Sequence, residues 1–444
     1  MATDRPNILL VCTDQQFAGA LSCAGTDHLS TPAMDQLAGR GVRFTETYCA
    51  NPVCSPSRAS MFSGEPSHRT GVTGNRQHLT DEVRKRTLGH LLSAAGYECA
   101  YAGKWHVPAH DIGPDHGFER IAGYNDHDVV EAAESFLRAD RDDPFCLVAS
   151  FDNPHNICEW PRGELLPWGN VDPPAPADCP PLPANYPIPP YEPLTVEEHR
   201  DGQPMAAATP DEWRQYRYVY YRLIERVDRA LARILDTLAH TGLEEETVVI
   251  FTSDHGDMHG AHRLQQKWVL YEESVRVPLI IAGPDTKRDV TDDRLVSNGL
   301  DLVPTICAYA GATVPDTLRG YSLRQPARGE EPTDWRDYLV TASTAHFAAR
   351  MVRTPRYKYA VYDRGRPPEQ LFDMQEDRDE LVNLAVDAGH EAVLDRHREL
   401  LLEWCLETDD RFNSHYAHGI DDLPAVPGFE YEEIRSRYDD RHGC

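Results

Sequence analysis

Cys54 stands in the run Cys54-Ser55-Pro56-Ser57-Arg58. C-x-P-S-R is the core that maturation enzymes read when they oxidise a cysteine to formylglycine. The hydrated aldehyde is an oxygen nucleophile that no ordinary side chain supplies. The motif alone is a modest signal, because a free cysteine packed as a small hydrophobe ahead of a helix reads the same way. Other ionisable residues collect in short clusters, each directly after an apolar run. Asn7–Cys12 (NILLVC) is followed by Thr13-Asp14-Gln15, and Glu98–Ala102 by Gly103-Lys104-Trp105-His106. Phe145–Phe151 (FCLVASF) is followed by Asp152-Asn153-Pro154-His155, and Val248–Thr252 by Ser253-Asp254-His255-Gly256-Asp257. Carboxylates and imidazoles hold divalent cations and move protons, and a lysine among them neutralises an anion.

The elements that must position these clusters are legible in the periodicity. The four runs, with Val277–Ile281, read as buried strands. Helices are expected over Thr87–Ala95, Val129–Leu137 and Asp301–Ala310. The longest, Pro210–Thr241, carries a stripe through Tyr220, Leu223, Ile224, Val227, Leu231, Ile234 and Leu235. Thr209 is its cap, with Pro210, Asp211 and Glu212 in the first turn. Strands alternating with helices predict an α/β fold with a mostly parallel central sheet sandwiched by helices. Ligands bind such sheets beyond the carboxyl ends of the strands, so placement alone marks the clusters as an active site.

Between Pro161 and Pro193 lie twelve prolines. That segment must run as an extended loop, either wrapping the surface or walling a cleft. After about residue 330, Tyr338–Thr341, Met351–Tyr362 and Leu371–Asp373 read as antiparallel strands and Ala388–Glu407 as a covering helix. Residues 1–330 are therefore expected to form the catalytic domain, and 331–444 a smaller C-terminal α+β subdomain (antiparallel sheet plus helix) with a tail. From Thr408 the tail is acidic and aromatic without a period.

Composition narrows the partners. A net charge of −28 disfavours nucleic acid or an anionic membrane. The longest apolar stretch near the start, Ile8 to Cys12, is too short for a signal-peptide core or a span, so a cytoplasmic location is expected. Eleven cysteines without a C-x-x-C pair argue against a disulfide framework or structural zinc. Only Lys85, Lys104, Lys267, Lys287 and Lys358 are lysines, which suits a salt-rich host or GC-rich codons and makes a lysine inside a motif more noticeable.

From RPNILLVCTDQQ through CSPSRASMFSG, GKWH, NPH and SDHGDMHG to the lysine of QQKW, RTPRYKY and EQLFDM, the chain resembles the formylglycine-dependent sulfatases of the alkaline phosphatase superfamily. The resemblance implies a formylglycine diol at Cys54, one hydroxyl attacking sulfur and the other collapsing the diol to release sulfate. Pro56 as first helical residue would set the nucleophile at a helix N-terminus. The resemblance further implies one divalent metal at Asp14, Gln15, Asp254 and His255, with residue 54 beside it. Arg58, Lys104 and Lys267 would neutralise sulfate and steady the formylglycine. His155 would serve the leaving alcohol and His106 the formylglycine.

The commoner ligand pattern is Asp-Asp and Asp-Asn. Gln15 and His255 depart from it, so calcium is the family expectation with manganese or zinc open. The same variation resembles phosphonate monoester hydrolases and choline-sulfatase-like members. A phosphonate or phosphate diester hydrolase is therefore the rival enzyme, and a non-catalytic binder of sulfated glycans the rival of another class. The expected substrate is a small-molecule or oligosaccharide sulfate ester, with an aryl sulfate as an artificial one, and the expected partner a formylglycine-generating maturation enzyme. Trp160, Trp168 and the aromatic tail are candidate pocket walls, and His78, His259, His262 and His346 candidate pocket residues rather than catalysts.

Overall fold

The computed structural model describes residues 5–107, 112–365 and 368–412; the tail beyond 412, including its expected part in a pocket, lies outside them. The central sheet has eight strands: β1 (Asn7–Asp14), β2 (Val42–Phe44), β3 (Glu98–Gly103), β4 (Glu119–Ala122), β5 (Phe145–Pro154), β6 (Thr247–Ser253), β7 (Leu279–Ala282) and β8 (Val290–Asp292). Their order is β4-β3-β5-β1-β6-β7-β2-β8. The five strands from β4 to β6 run parallel to one another. β7 is antiparallel to both of its neighbours. Pro278 shortens it to a start at Leu279, two residues later than the apolar run suggested.

Both faces of the sheet are covered, and β1 shows why its run is continuously apolar. Leu9 and Val11 enter one core, while Ile8, Leu10 and Cys12 enter the other. The first core is closed by α1 (Pro32–Arg40) and the helices Asp126–Arg138 and Pro210–His240; the second by α2 (Cys54–Ser63), α3 (Leu88–Ala94) and the helix Asn298–Ala310. α4 spans Asp126–Arg138, α5 Leu194–Asp201, α6 Pro210–His240 and α7 Asn298–Ala310. The expected capping of α6 is present: Thr209 accepts from the Glu212 N–H and Glu212 reaches back to the Thr209 N–H. α1 and α5 are helices the sequence pattern did not single out.

The proline-rich segment contains only short 3-10 turns. It is tied along α6, where Arg214 donates to the carbonyls of Ala177, Cys179 and Pro180, and Gln215 to that of Pro174. A wrap over the helix accounts for it.

The second sheet is antiparallel: β9 (Leu339–Ser343), β10 (Ala349–Arg353), β11 (Tyr357–Tyr362) and β12 (Glu369–Asp373). The single run expected over Met351–Tyr362 is two strands, because Pro355 in the Thr354–Arg356 turn interrupts it. α8 (Glu391–Thr408) covers one face of this sheet. The other face joins the main body through a small apolar cluster and buried charges. Lys358 on β11 pairs with Glu272 at 3.0 Å and Glu380 at 2.8 Å, and Arg353 on β10 pairs with Glu46 at 3.0 Å.

Glu380 is the exposed flank of this balance in charge, though not in space. Lys358, Glu272, Glu273 and His262 face it. Burial and the neighbouring carboxylates outweigh Lys358 and raise its carboxyl to about 8. Its folded value exceeds that of an unfolded glutamate, so the contribution is full below about 4.5 and is lost progressively as pH rises from there to about 8. The melting temperature of the wild type should fall across that window. Glu380→Gln should flatten the fall; an unchanged profile in the variant would exclude Glu380 as its source.

Candidate active site

The first turn of α2 carries Cys54. α2 begins at Cys54 rather than at Pro56, and every residue of it is buried. Pro56 is tolerated because N–H groups of the first turn have no partner within the helix. The Cys54 sulfur lies 2.9 Å from Lys267 Nζ, 3.3 Å from His255 Nε2 and 3.8 Å from an Asp14 carboxylate oxygen. Burial and Asp14 push the thiol up, but Lys267, His255 and a hydrogen bond with His106 prevail and hold it well below the usual thiol range. The surroundings of Cys54 thus favour negative charge at this position.

Two strand ends bring the acidic residues to it. Asp14 closes β1, and Asp254 follows β6 on the neighbouring strand. Gly256 lets this loop pass the Glu273 carbonyl, which a Cβ would approach to 2.0 Å. Burial would raise the Asp14 carboxyl, yet Lys104, His155, Lys267 and Arg58 hold it well below the carboxylate range. Burial and repulsion from Asp14 raise Asp254 to about 6.

The donors converging here suit a divalent cation, and their orientation is imposed from outside the cluster. The Gln15 amide gives its N–H to Asp257 at 2.7 Å, which leaves its oxygen facing inward. His255 faces the Gly256 carbonyl through Nδ1 at 3.0 Å, which leaves Nε2 inward. Ligand atoms of Asp14, Cys54, Asp254 and His255 lie within 4.8 Å of one another. Lys267 Nζ touches the same inward atoms, at 2.9 Å from the Gln15 oxygen and 3.1 Å from His255 Nε2. Two carboxylates, an amide oxygen and an imidazole nitrogen make a mixed oxygen–nitrogen donor set.

The cations have different partners. Arg58 is completely buried; Nε donates to Asp254 at 2.7 Å, Nη1 to the Lys104 carbonyl at 2.7 Å and Ser150 at 2.8 Å, and Nη2 to Asp14 at 3.3 Å. Its guanidinium thus braces two carboxylates and a backbone turn. Lys104 leaves β3 through Gly103, whose φ of +104° and 1.9 Å approach to the Ser150 carbonyl exclude a side chain. Its ammonium bridges Asp14 at 2.9 Å and Asp152 at 2.7 Å. Despite burial, these carboxylates hold it well above the ordinary lysine range.

Both histidines reach residue 54. His155 hydrogen-bonds to Cys54, and burial followed by Lys104 and Lys267 lowers its imidazole. His106 has a left-handed backbone (φ 53°), pinned by its N–H to the Tyr124 hydroxyl and by Ser55 donating to its carbonyl. Its Nδ1 is buried without a hydrogen-bond partner. All ten residues given site roles from the sequence thus converge, as do Asp152 and Asp257, which stood in the strand-end clusters without a role. Asp257 had a signal, three residues after Asp254 in the same motif.

The expected pocket walls are placed differently. Trp160 packs edge-on against Tyr216, and Trp168 lines a separate pocket with Arg226 and Asn153. His259 stacks on Tyr220 and His262 packs on Tyr271, both buried. His346 lies 5.1 Å from Trp268 in an open groove.

Comparison with known proteins agrees with this geometry. The family model described as Sulfatase matches residues 6–312, and that of the N-sulphoglucosamine sulphohydrolase C-terminal region matches 260–405. A Delta 4,5-hexuronate-2-O-sulfatase of Bacteroides thetaiotaomicron is 32% identical over 93% of this chain and 91% of its own. A solved 2-O GAG sulfatase superposes with a TM-score of 0.84 at 30% identity, covering 97% of this chain and 100% of that one. A phosphonate monoester hydrolase of Agrobacterium radiobacter shares the fold, with a TM-score of 0.73, 24% identity and coverage of 93% and 97%. The chain belongs to the sulfatase family, within the alkaline phosphatase superfamily.

Proposed function

We propose that this protein hydrolyses the sulfate ester of a saccharide, with residue 54 in its formylglycine form as nucleophile. The observation that carries the reading is the convergence of Lys267, Lys104 and the two buried carboxylates on the first turn of α2. The similarity to a hexuronate sulfatase and a GAG sulfatase supports the sugar. The ten described cysteines are free thiols, which favours a reducing, cytoplasmic setting. No helix among the described residues is long and apolar enough to cross a membrane.

The hydrated formylglycine supplies one hydroxyl to attack sulfur and a second whose deprotonation releases sulfate. Its formation needs a maturation enzyme from the host. A divalent cation held by Asp14, Gln15, Asp254 and His255 beside residue 54 would supply positive charge to a sulfate oxygen and favour ionisation of the nucleophile. Calcium is the family reading, and the His255 imidazole makes manganese or zinc its competitors.

The remaining work falls to the chain. Lys104 and Lys267 meet the charge on the sulfate oxygens. Arg58 acts through Asp14 and Asp254, keeping both ionised and oriented. His155, lowered in the free site, is raised by the anionic ester and donates its proton to the departing alcohol oxygen. His106, with Nδ1 unpartnered, takes the proton of the remaining hydroxyl.

A second reading rests on the Gln15 and His255 donors, which suit a phosphonate or phosphate diester hydrolase using the same groups. Paired aryl sulfate and aryl phosphonate esters separate the two by their ratio of kcat/KM. The sulfate ester is expected to dominate; a dominant phosphonate ester would overturn the sulfatase reading.

Peptide mass spectrometry of protein from its native host should find formylglycine at position 54. A thiol there in folded, metal-loaded protein would sink this mechanism and leave a glycan binder. Lys104→Ala should lower kcat by roughly 10²–10³. Dialysis against a chelator should abolish turnover and lower the melting temperature, and adding back the native metal, identified by elemental analysis, should restore both. Full activity in metal-free protein would remove the cation from the mechanism.

A further inference from the structure

A groove of about 430 Å³ opens beside Lys267, within the size range of sites that hold small ligands, roughly 300–1,000 Å³. Three segments distant in sequence build it. α5 contributes His199, the loop before β7 contributes Gln265, Gln266 and Trp268, and the β9–β10 turn contributes His346. Two observations link it to the nucleophile. Lys267 Nζ is 2.9 Å from the Cys54 sulfur and 5.9 Å from the Trp268 ring centre. The β9–β10 turn is anchored at Thr344, whose hydroxyl accepts from Asn51 at 2.9 Å and donates to the Thr73 carbonyl at 2.8 Å, close before and after α2.

The lining has unfinished polar business. Gln265 is 1% exposed, and neither its amide oxygen nor its amide nitrogen has a hydrogen-bond partner. Leaving both buried atoms unsatisfied is costly. Gln265 lines the groove while its backbone is locked to Gln203, N–H to the Gln203 oxygen and carbonyl to the Gln203 nitrogen, both at 2.9 Å. Trp268 has a left-handed backbone at φ 80°, a conformation costly for a bulky residue and concentrated at functional sites. Its indole stands between His199 and His346, at 5.2 and 5.1 Å between ring centres.

We propose that this groove is a saccharide subsite, receiving the sugar of the leaving alcohol. The Gln265 amide offers one donor and one acceptor to adjacent ring hydroxyls, and the aromatic walls present faces to the apolar side of the ring. Arg162 and Arg364 at the rim are partly exposed and paired with glutamates, Glu164 at 3.9 Å and Glu198 at 2.8 Å. The assignment rests on the sulfatase reading and adds which residues select the alcohol.

The test measures binding and turnover apart. Metal-loaded Cys54→Ala protein, which cannot react, is titrated calorimetrically with a sulfated uronate-containing disaccharide, alone and with Gln265→Leu or His346→Ala added. The subsite predicts Kd raised about tenfold or more by each addition. In converted enzyme, the same substitutions should lower kcat/KM for the disaccharide relative to 4-nitrophenyl sulfate by a similar factor. His346→Ala, at a turn, guards against a folding artefact at Gln265. Disaccharide bound and cleaved equally well by both variants would overturn the subsite and leave the sulfatase reading standing. A converted wild type that cleaves neither ester would overturn that reading, while the Cys54→Ala titration would still decide the groove.

Discussion

Two carboxylates, Asp14 and Asp254, lie completely buried on adjacent strand ends, and this is the constraint on which the rest of the site depends. Charges of the same sign in a medium of low polarity cannot remain ionised without nearby cations. Arg58 meets both, Lys104 meets Asp14, and the Lys267 ammonium lies among the other inward-facing donors. Each of these cations is itself buried and depends on the carboxylates in return. Removing any one member leaves an uncompensated charge, so the cluster behaves as a unit rather than as a sum of pairs.

The fold supplies what that cluster needs. Parallel strands end at one edge of the sheet, which collects Asp14, Lys104, Asp152 and Asp254 from four separate segments. Packing on both faces makes those strand ends rigid, and bare glycines at 103 and 256 permit backbone approaches that a side chain would block. The C-terminal sheet has a different part. Its β11 lysine balances Glu272 behind the loop that carries Asp254 and His255, while its β9–β10 turn reaches round to the groove.

The strand-end clusters and the long capped helix were legible because their signals are local: a continuous apolar run, a cap box, a charged residue just past the run. The partner of Gln15 was not, since Asp257 acts through a side chain 242 positions away. The lining of the groove was hidden for the same reason. Trp160 and Trp168 drew attention by their proline-rich setting, whereas the aromatic beside the site is Trp268, one residue past the lysine of the motif. Antiparallel β7 shows another limit. A buried apolar run reports that a strand is covered on both faces and carries no record of its direction.

The motif from Cys54 to Arg58 is wound into α2, with every side chain enclosed by neighbouring elements. A modifying enzyme that must read Cys54, Pro56 and Arg58 as an extended peptide has no access to them once these walls have closed. On the proposed chemistry, oxidation at this position would be an event of biosynthesis, decided while the polypeptide is still emerging or being held open. The share of competent molecules would then be set by a race between the modifying enzyme and the collapse of the sheet around α2. Molecules that fold first would be locked into the thiol form, and a change that merely speeds folding would lower the yield of active protein without touching a single catalytic group.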